Sequence, residues 1–334
     1  MIYLLFIILD LEFQSNFVVK NELAGLKENV PLAPYTTFRL GGPARYFVAA
    51  KSEAELAAAF LWAKKERLPT AILGGGSNLL VADAGFDGLV IKNENIDYVI
   101  EGNRIFAGSG LNLGYLVSQC TENSLTGAEF LVGIPGTVGG AVYGNAGAWG
   151  HGIGELVETV KVFEGGKIKQ LNQNACQFKY RSSALKEENL PVLSVVLLLR
   201  KSVKEVVEKQ VSDYLRQRSG GNQPKEPSAG CSFKNVELAK LKPAKVMKGL
   251  GINAAEFAAA TKHGKLAVGY ILERLNLKDK KIGGAKISPA HCNFIINDGT
   301  AKAADVAELI SYVKQQVRDK VGVQLEEEVQ YLGF

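Results

Sequence analysis

The chain is short of the residues that build metal and redox centres. Among 334 residues there are four cysteines, Cys120, Cys176, Cys231 and Cys292, and three histidines, and no two cysteines stand as C-x-x-C. A Cys/His metal site is therefore not expected. Few, scattered cysteines in a long chain point to free thiols in a reducing compartment such as the cytoplasm. Long apolar runs are scarce too. The run at residues 2–9 meets Asp10 and Glu12 at once, well short of the roughly 20 residues that cross a bilayer. It has no basic flank and no small-residue cleavage site, so it reads as a terminal extension rather than a secretion signal. Charge of one sign is also lacking: 39 Lys and Arg against 34 Asp and Glu leave a net charge of +5. No dense basic block carries aromatics, which argues against a nucleic-acid partner. No G-x-x-x-x-G-K-[ST] occurs, so a P-loop is excluded. Gly249, Gly251 and Ala254 have G-x-G-x-x-A spacing, but no buried strand precedes them, as a dinucleotide fold would require.

Glycine, by contrast, is abundant: 36 residues, about 11% against an average near 7%. Its distribution marks the organisation. Ser52 and Glu55 have capping-box spacing, with Leu56, Phe60 and Ala63 on one face of the helix they open. A short apolar strand at residues 70–73 ends in Gly74, Gly75, Gly76, Ser77 and Asn78, and apolar stretches resume at residues 79–81 and 88–91. Residues 98–110 read as a hairpin turning at Gly102 and Asn103, and residues 157–200 as further strands. Composition shifts near residue 203. A charged helix follows, aligning Val207, Val211, Tyr214 and Leu215, then a Gly/Pro/Asn loop at 219–227. A last helix carries Val306, Leu309, Ile310, Val313 and Val317, with Asp298 or Thr300 as its cap. The final segment, residues 323–332, alternates as a strand. An α+β protein with a mostly β first part is expected.

Two glycine loops stand out. Residues 74–78 and the segment Gly136, Thr137, Gly139, Gly140 leave backbone N–H groups unshielded, which suits either anion-binding nests for two phosphates or plain tight turns. Cys231 lies in a small-residue stretch, and a buried structural thiol is its ordinary alternative. His291 precedes an apolar strand and fits a hydrogen-bonded structural role as well as a site. Glu328 shares the polar face of the last segment with Gln324, Glu326 and Gln330, where a solvated face is the default. Arg181 follows Phe178 and Tyr180 near a strand end.

Six segments then occur in a fixed order: TFRLGGPA at 37–44, LGGGSNLL at 73–80, GIPGTVGG at 133–140, YRSS at 180–183, SAGCSFKN at 228–235 and LEEEV at 325–329. From about Thr36 onward the chain resembles the UDP-N-acetylenolpyruvoylglucosamine reductases, flavoenzymes of peptidoglycan synthesis, in their compact subtype. The resemblance implies a two-lobed FAD-binding domain of the vanillyl-alcohol-oxidase (PCMH) type and a smaller α/β substrate-binding domain. It places an extension at 1–22, the FAD-binding domain at 23–202 with lobes near 23–92 and 93–202, and the substrate domain at 203–320. The segment 321–334 would return to the FAD-binding domain as a strand. Non-covalent FAD would lie on Gly74, Gly75, Gly76, Ser77, Asn78, Gly136, Thr137, Gly139 and Gly140, with Asn145 and Gly147 near the flavin. NADPH would be the hydride donor and a UDP-sugar the substrate, the chain acting as a monomer without membrane insertion. Arg181 matches the family's carboxylate-binding arginine, Glu328 its catalytic glutamate, and Cys231 the Ser or Cys that donates a proton. Tyr180, Lys234, Asn235, His291 and Asn293 would line the substrate.

The chain departs from the family pattern at Val236, where Pro is usual, at Gly144 and Trp149, and in a long segment at 237–265. Another FAD oxidoreductase on the same first domain, or a non-catalytic nucleotide-binding protein, are the alternative readings. No His or Cys in either glycine loop offers a covalent flavin attachment.

Overall fold

A computed structural model describes residues 18–19, 22–220 and 223–334. Apart from Val18, Val19 and Glu22, the N-terminal extension lies outside the described residues. The chain forms two compact units, each assembled from separated stretches: one from residues 1–30, 43–75 and 86–218, the other from 31–42, 76–85 and 219–334.

The first unit holds two larger sheets. One has the order Lys27–Pro31, Pro43–Ala50, Phe86–Asn93, Thr70–Leu73, its last three strands parallel. Their apolar runs suit strands covered by a helix, here Glu53–Lys65, which Ser52 caps by accepting from the Glu55 N–H. Leu56, Phe60 and Ala63 are buried, as their spacing predicts, and Phe60 stacks on Phe163 at 5.2 Å. The other sheet is antiparallel, in the order Lys167–Asn172, Val157–Glu164, Val192–Leu198, Arg104–Gly108, Tyr98–Glu101. The expected hairpin is present, with Gly102 at φ +65° in its turn, a value that costs glycine nothing.

The helix Lys204–Ser219 groups with this unit through Arg218, not with the residues that follow it. The composition break at 203 is therefore not the structural one. Val207 is fully buried, Tyr214 sits 4.6 Å from Trp149, and the Arg218 guanidinium lies 5.3 Å over the Trp149 ring. That packing also accounts for a tryptophan at 149. Leu215, expected on the buried face, is exposed.

The second unit is built on the antiparallel sheet Ser228–Cys231, Phe294–Asn297, Ala285–Ile287, Lys281–Ile282. The helix Ala303–Val321 packs on it, burying Val306, Leu309, Ile310, Val313 and Val317 as the sequence predicts. The long segment at 237–265 forms the helices Pro243–Leu250 and Ala254–Ala259 and a small sheet in which Val236 pairs with Leu266. Gly251, at φ +63°, ends the first of these helices, so the G-x-G-x-x-A spacing records a helix C-terminus.

Two expectations about the chain's end need correction. The strand is Gln330–Leu332 only, and it pairs in parallel with Leu79–Val81. By contacts, Leu79–Val81 belongs to the second unit, so the tail completes that unit. Residues 323–329 keep the alternation, with Val323, Leu325 and Val329 buried, but their sheet pairing is one isolated bridge, Phe233 to Glu327. Nor does Asp298 or Thr300 cap the last helix. The Asp83 carboxylate accepts from the N–H groups of Ala303 and Ala304 at 2.9 and 3.0 Å, satisfying orphan donors where a negative charge also complements the helix dipole.

Replacing Asp83 with Ala should therefore lower stability by about 1 kcal/mol, the usual cost of losing a cap. Urea unfolding would show an unshifted midpoint if the carboxylate contributes nothing.

Candidate functional site

In the first unit the two glycine loops touch. A Cβ built on Gly75 would stand 2.8 Å from the Gly136 Cα, and one on Gly74 2.6 Å from the Thr137 hydroxyl. Gly75 is bare because backbone meets backbone there, and Gly74 because the Thr137 side chain fills the space. Thr137 caps the helix Val138–Tyr143 by accepting from the Gly140 N–H at 3.4 Å. The next amides inward, Val138 and Gly139, donate to the carbonyls of Leu111 and Ser109. Gly139 is fixed by packing, since its Cβ would meet the Ser109 Cβ at 2.5 Å. Gly140 differs: it is exposed, and a Cβ there meets nothing nearer than 3.7 Å.

The support beneath these loops was not evident from the sequence. Asn93 donates to the Ser109 hydroxyl at 2.6 Å, and Asn95 donates to the Leu193 carbonyl. Both asparagines are buried, and a satisfied buried network of this kind rigidifies what rests on it. Lys92, at the end of its strand, donates to the Gly74 carbonyl, and burial holds its pKa below the ordinary lysine value. The signal available in the sequence was polar residues interrupting an apolar strand end.

Tyr180 and Arg181 form the tip of a tight turn closed by reciprocal backbone hydrogen bonds between Lys179 and Ser182. Arg181 takes φ +53°, a strained value for a side-chain-bearing residue. Its Nη2 donates to the Gly147 carbonyl at 2.8 Å, and its guanidinium lies 5.5 Å from the Tyr180 ring centroid. Asn145, expected near the flavin, braces this turn instead. Its Nδ2 donates to the Lys179 carbonyl and its Oδ1 accepts from the Gly154 N–H. Gly144 ends the short helix, with room for a side chain.

In the second unit Gly76, at φ +62°, leaves no space for a Cβ against the Tyr35 carbonyl. The Thr37 N–H donates to the Gly76 carbonyl at 3.1 Å, and the Thr37 hydroxyl donates to the Ser228 carbonyl at 2.6 Å. The turn is thereby tied to the strand that carries Cys231. Ser77 is half-buried within it. Asn78 directs its amide to the Glu328 carbonyl at 3.0 Å.

Cys231 ends its strand at an irregular register and is partly exposed, whereas Ser232 is buried at 5%. The three consecutive glutamates are sorted by their neighbours. Glu326 pairs with Lys240 at 2.8 Å and Lys234 at 3.4 Å, and the Lys240 hydrogen bond holds it below the usual carboxylate range. Glu327 pairs with Lys314. Glu328 is anchored by its backbone, its N–H donating to the Ser232 carbonyl at 2.9 Å.

Three residues expected at the substrate have structural tasks. Asn293 is buried, and its amide both accepts from and donates to the Phe233 backbone. Asn235 accepts from the Val268 N–H at the start of the helix Val268–Arg274. His291 accepts at Nδ1 from the Asn293 N–H, and burial lowers its pKa. Its proton therefore sits on Nε2.

Glycine loops braced beneath by a buried polar network suit a nucleotide-binding protein, and the comparisons make it a flavoprotein. Residues 44–171 match the model of an FAD binding domain. Residues 223–332 match that of the UDP-N-acetylenolpyruvoylglucosamine reductase C-terminal domain. The reductase of that name from Solibacter usitatus is 35% identical over 306 residues, covering 91% of this chain and 96% of the relative. The one from Thermotoga maritima is 37% identical over 300 residues, covering 90% and 96%. The crystal structure of the Thermus caldophilus reductase superposes with a TM-score of 0.72 at 33% identity, covering 92% of this chain and 99% of that one. The chain belongs to the UDP-N-acetylenolpyruvoylglucosamine reductase family. Its fold is the α+β one expected, an FAD-binding domain with a smaller C-terminal domain.

The residues present fit FAD: Gly75 and Gly140 leave exposed backbone where the two loops meet, as a diphosphate requires. Gly140 separates cofactor approach from packing. Gly140→Leu should fold with an unchanged melting temperature yet purify with little flavin, read from the absorbance ratio of the visible band to the protein band. Full flavin content in this variant would remove the second loop from the FAD site.

Proposed function

We propose that the chain reduces the enolpyruvyl group of UDP-N-acetylglucosamine enolpyruvate with NADPH to give UDP-N-acetylmuramate for peptidoglycan, and that Arg181, Cys231 and Glu328 act on the substrate. Membership of the reductase family across nine-tenths of the chain supports the reaction. The observation that supports the residue roles is the contrast at 231 and 232: of two adjacent donors, only the thiol is accessible.

Bound FAD would carry the hydride between NADPH and substrate. Hydride addition at C3 of the enol ether leaves negative charge at C2, conjugated with the carboxylate. A guanidinium in a fixed turn meets such a carboxylate through paired N–H donors, and Arg181 is held in that way by Gly147 and Tyr180. Glu328 polarises the same carboxylate, with its backbone already pinned. Cys231 gives the proton to C2. A thiol, with a reference pKa of about 8.5, is a much stronger acid than an alcohol, so the thiol suits a donor acting on a carbanion-like centre.

We assign Tyr180 and Lys234 to the substrate, and Asn235 and Asn293 to the scaffold that holds Cys231 and Lys234. His291 presents an Nε2–H. The first unit carries FAD and the second the UDP-sugar. No helix among the described residues is long and apolar enough to cross a membrane. Four free thiols and the use of NADPH suit a cytoplasmic enzyme, and we take it to act as a monomer.

Mixing protein, NADPH and the enolpyruvyl substrate tests the reaction: NADPH consumption that needs substrate is expected, and its absence would overturn the assignment. Pre-reduced Arg181→Ala should reoxidise about 10²–10³-fold slower on substrate addition. Cys231→Ala should lose about 10²–10⁴-fold in the same step, Cys231→Ser should keep measurable turnover, and Ser232→Ala should be mild.

Alkylation checks the thiol separately. Burial pushes Cys120 up to about 12 and Cys176 to about 11, so near pH 8 both stay protonated and unreactive. Iodoacetamide should then label Cys231 first, inactivating the enzyme, with substrate protecting. Equal labelling of the buried cysteines in the native protein would contradict this.

A further inference from the structure

The sequence offers three glutamates in a row, and in an extended register Glu326 and Glu328 share one face while Glu327 takes the other. In an extended segment successive side chains alternate between faces, so a slip by one residue exchanges every side chain for its neighbour. Residues 323–329 have one isolated bridge as sheet pairing, flanked by hydrogen bonds from the Lys234 N–H to the Glu326 carbonyl and from the Glu328 N–H to the Ser232 carbonyl, both at 2.9 Å. Beyond Glu328 a clamp on its carbonyl completes the hold. The Glu328 oxygen accepts from Asn78 Nδ2 at 3.0 Å and from Gln330 Nε2 at 3.0 Å, which uses both of its lone pairs. The Gln330 N–H donates in turn to the Asn78 carbonyl at 2.9 Å. Asn78 thus grips the tail on both sides of Val329, with its side chain before it and its backbone after it.

We infer that Asn78 and Gln330 are positioning residues that lock the register in which Glu328, and not Glu327, faces the substrate. The inference rests on the role of Glu328 proposed above. It gives Asn78 a task distinct from holding FAD. An asparagine fits because its amide is short, carries two donors and cannot ionise. Asp in its place would set a carboxylate against a carbonyl oxygen. The lysines reinforce the same choice, because Lys240 and Lys314 hold Glu326 and Glu327 in place.

The test separates the two half-reactions by rapid mixing. Gln330→Ala should keep flavin content, and its reduction by NADPH should stay within about twofold of the parent; Asn78→Ala and Asn78→Asp, at a residue of the glycine loop, are read in their flavin-loaded fraction. Flavin reoxidation by the enolpyruvyl substrate should slow by about 10–100-fold, the scale of a misplaced reacting group. Combined with Glu328→Gln, each should add less than about twofold to the slowing that Glu328→Gln causes alone, because the clamp acts only through that side chain. Gln330→Ala leaves the glycine turn intact, so it decides the matter should the Asn78 variants fail to fold.

Unchanged reoxidation in Gln330→Ala overturns the inference, as does a slowing that multiplies with that of Glu328→Gln. Loss of flavin from Asn78→Ala with normal reoxidation of the residual holoenzyme would return Asn78 to the cofactor alone. Parent-like reoxidation in Glu328→Gln would instead refute the role given to Glu328, a result distinguishable from failure of the clamp.

Discussion

The close packing at Gly74, Gly75 and Gly76 is the constraint that the rest of the fold must accommodate. Each of the three glycines is bare for a different neighbour: Thr137, Gly136 and the Tyr35 carbonyl. The first two contacts lie within one unit and the third within the other, the chain passing between units at Gly75–Gly76. Two residues further on, Asn78 reaches the Glu328 backbone. A five-residue turn therefore carries three obligations, and a side chain at Gly75 or Gly76 would displace main chain rather than a flexible neighbour.

Much of the fold was legible where burial is periodic and local. The helix Glu53–Lys65, the hairpin at Gly102 and the buried face of Ala303–Val321 each follow from spacing that a short window contains. What escaped depends on partners far along the chain. The carboxylate that caps the last helix comes from Asp83, 220 residues upstream of Ala303, while nearer residues of the right type, Asp298 and Thr300, bond to each other. The segment before Gln330 alternates as a strand should, yet it pairs at one bridge. Alternation reports which face is buried and says nothing of whether a neighbouring strand exists.

The site divides along the same line. Cys231, Arg181 and Glu328 were picked out by motif, and the structure shows the setting of each: an accessible thiol beside a buried hydroxyl, a guanidinium in a braced turn, a carboxylate with a pinned backbone. Asn293 and Asn235 are polar and close to the motif, and the fold already uses them: the Asn293 amide bonds the Phe233 backbone and the Asn235 oxygen accepts from the Val268 N–H. Residue type reveals hydrogen-bonding capacity, and only the fold reveals where that capacity has already been used. The converse holds for Asn93, Asn95 and Lys92, which lie in no motif and hold the loops up.

The pairing of Gln330–Leu332 with Leu79–Val81 has a consequence for how the protein is made. Synthesis proceeds from the N-terminus, and early portions of a chain fold while later ones are still being added. The first unit draws on nothing beyond Arg218 and can settle early. Leu79–Val81 and Asp83 must wait on the ribosome as an unpartnered strand and a carboxylate without its helix, because their partners are translated some 220 to 250 residues later. A chain interrupted before residue 330 would carry the first unit and the thiol, but would leave Leu79–Val81 without the strand that pairs with it. The last residues made are thus the ones that close a gap opened early in synthesis.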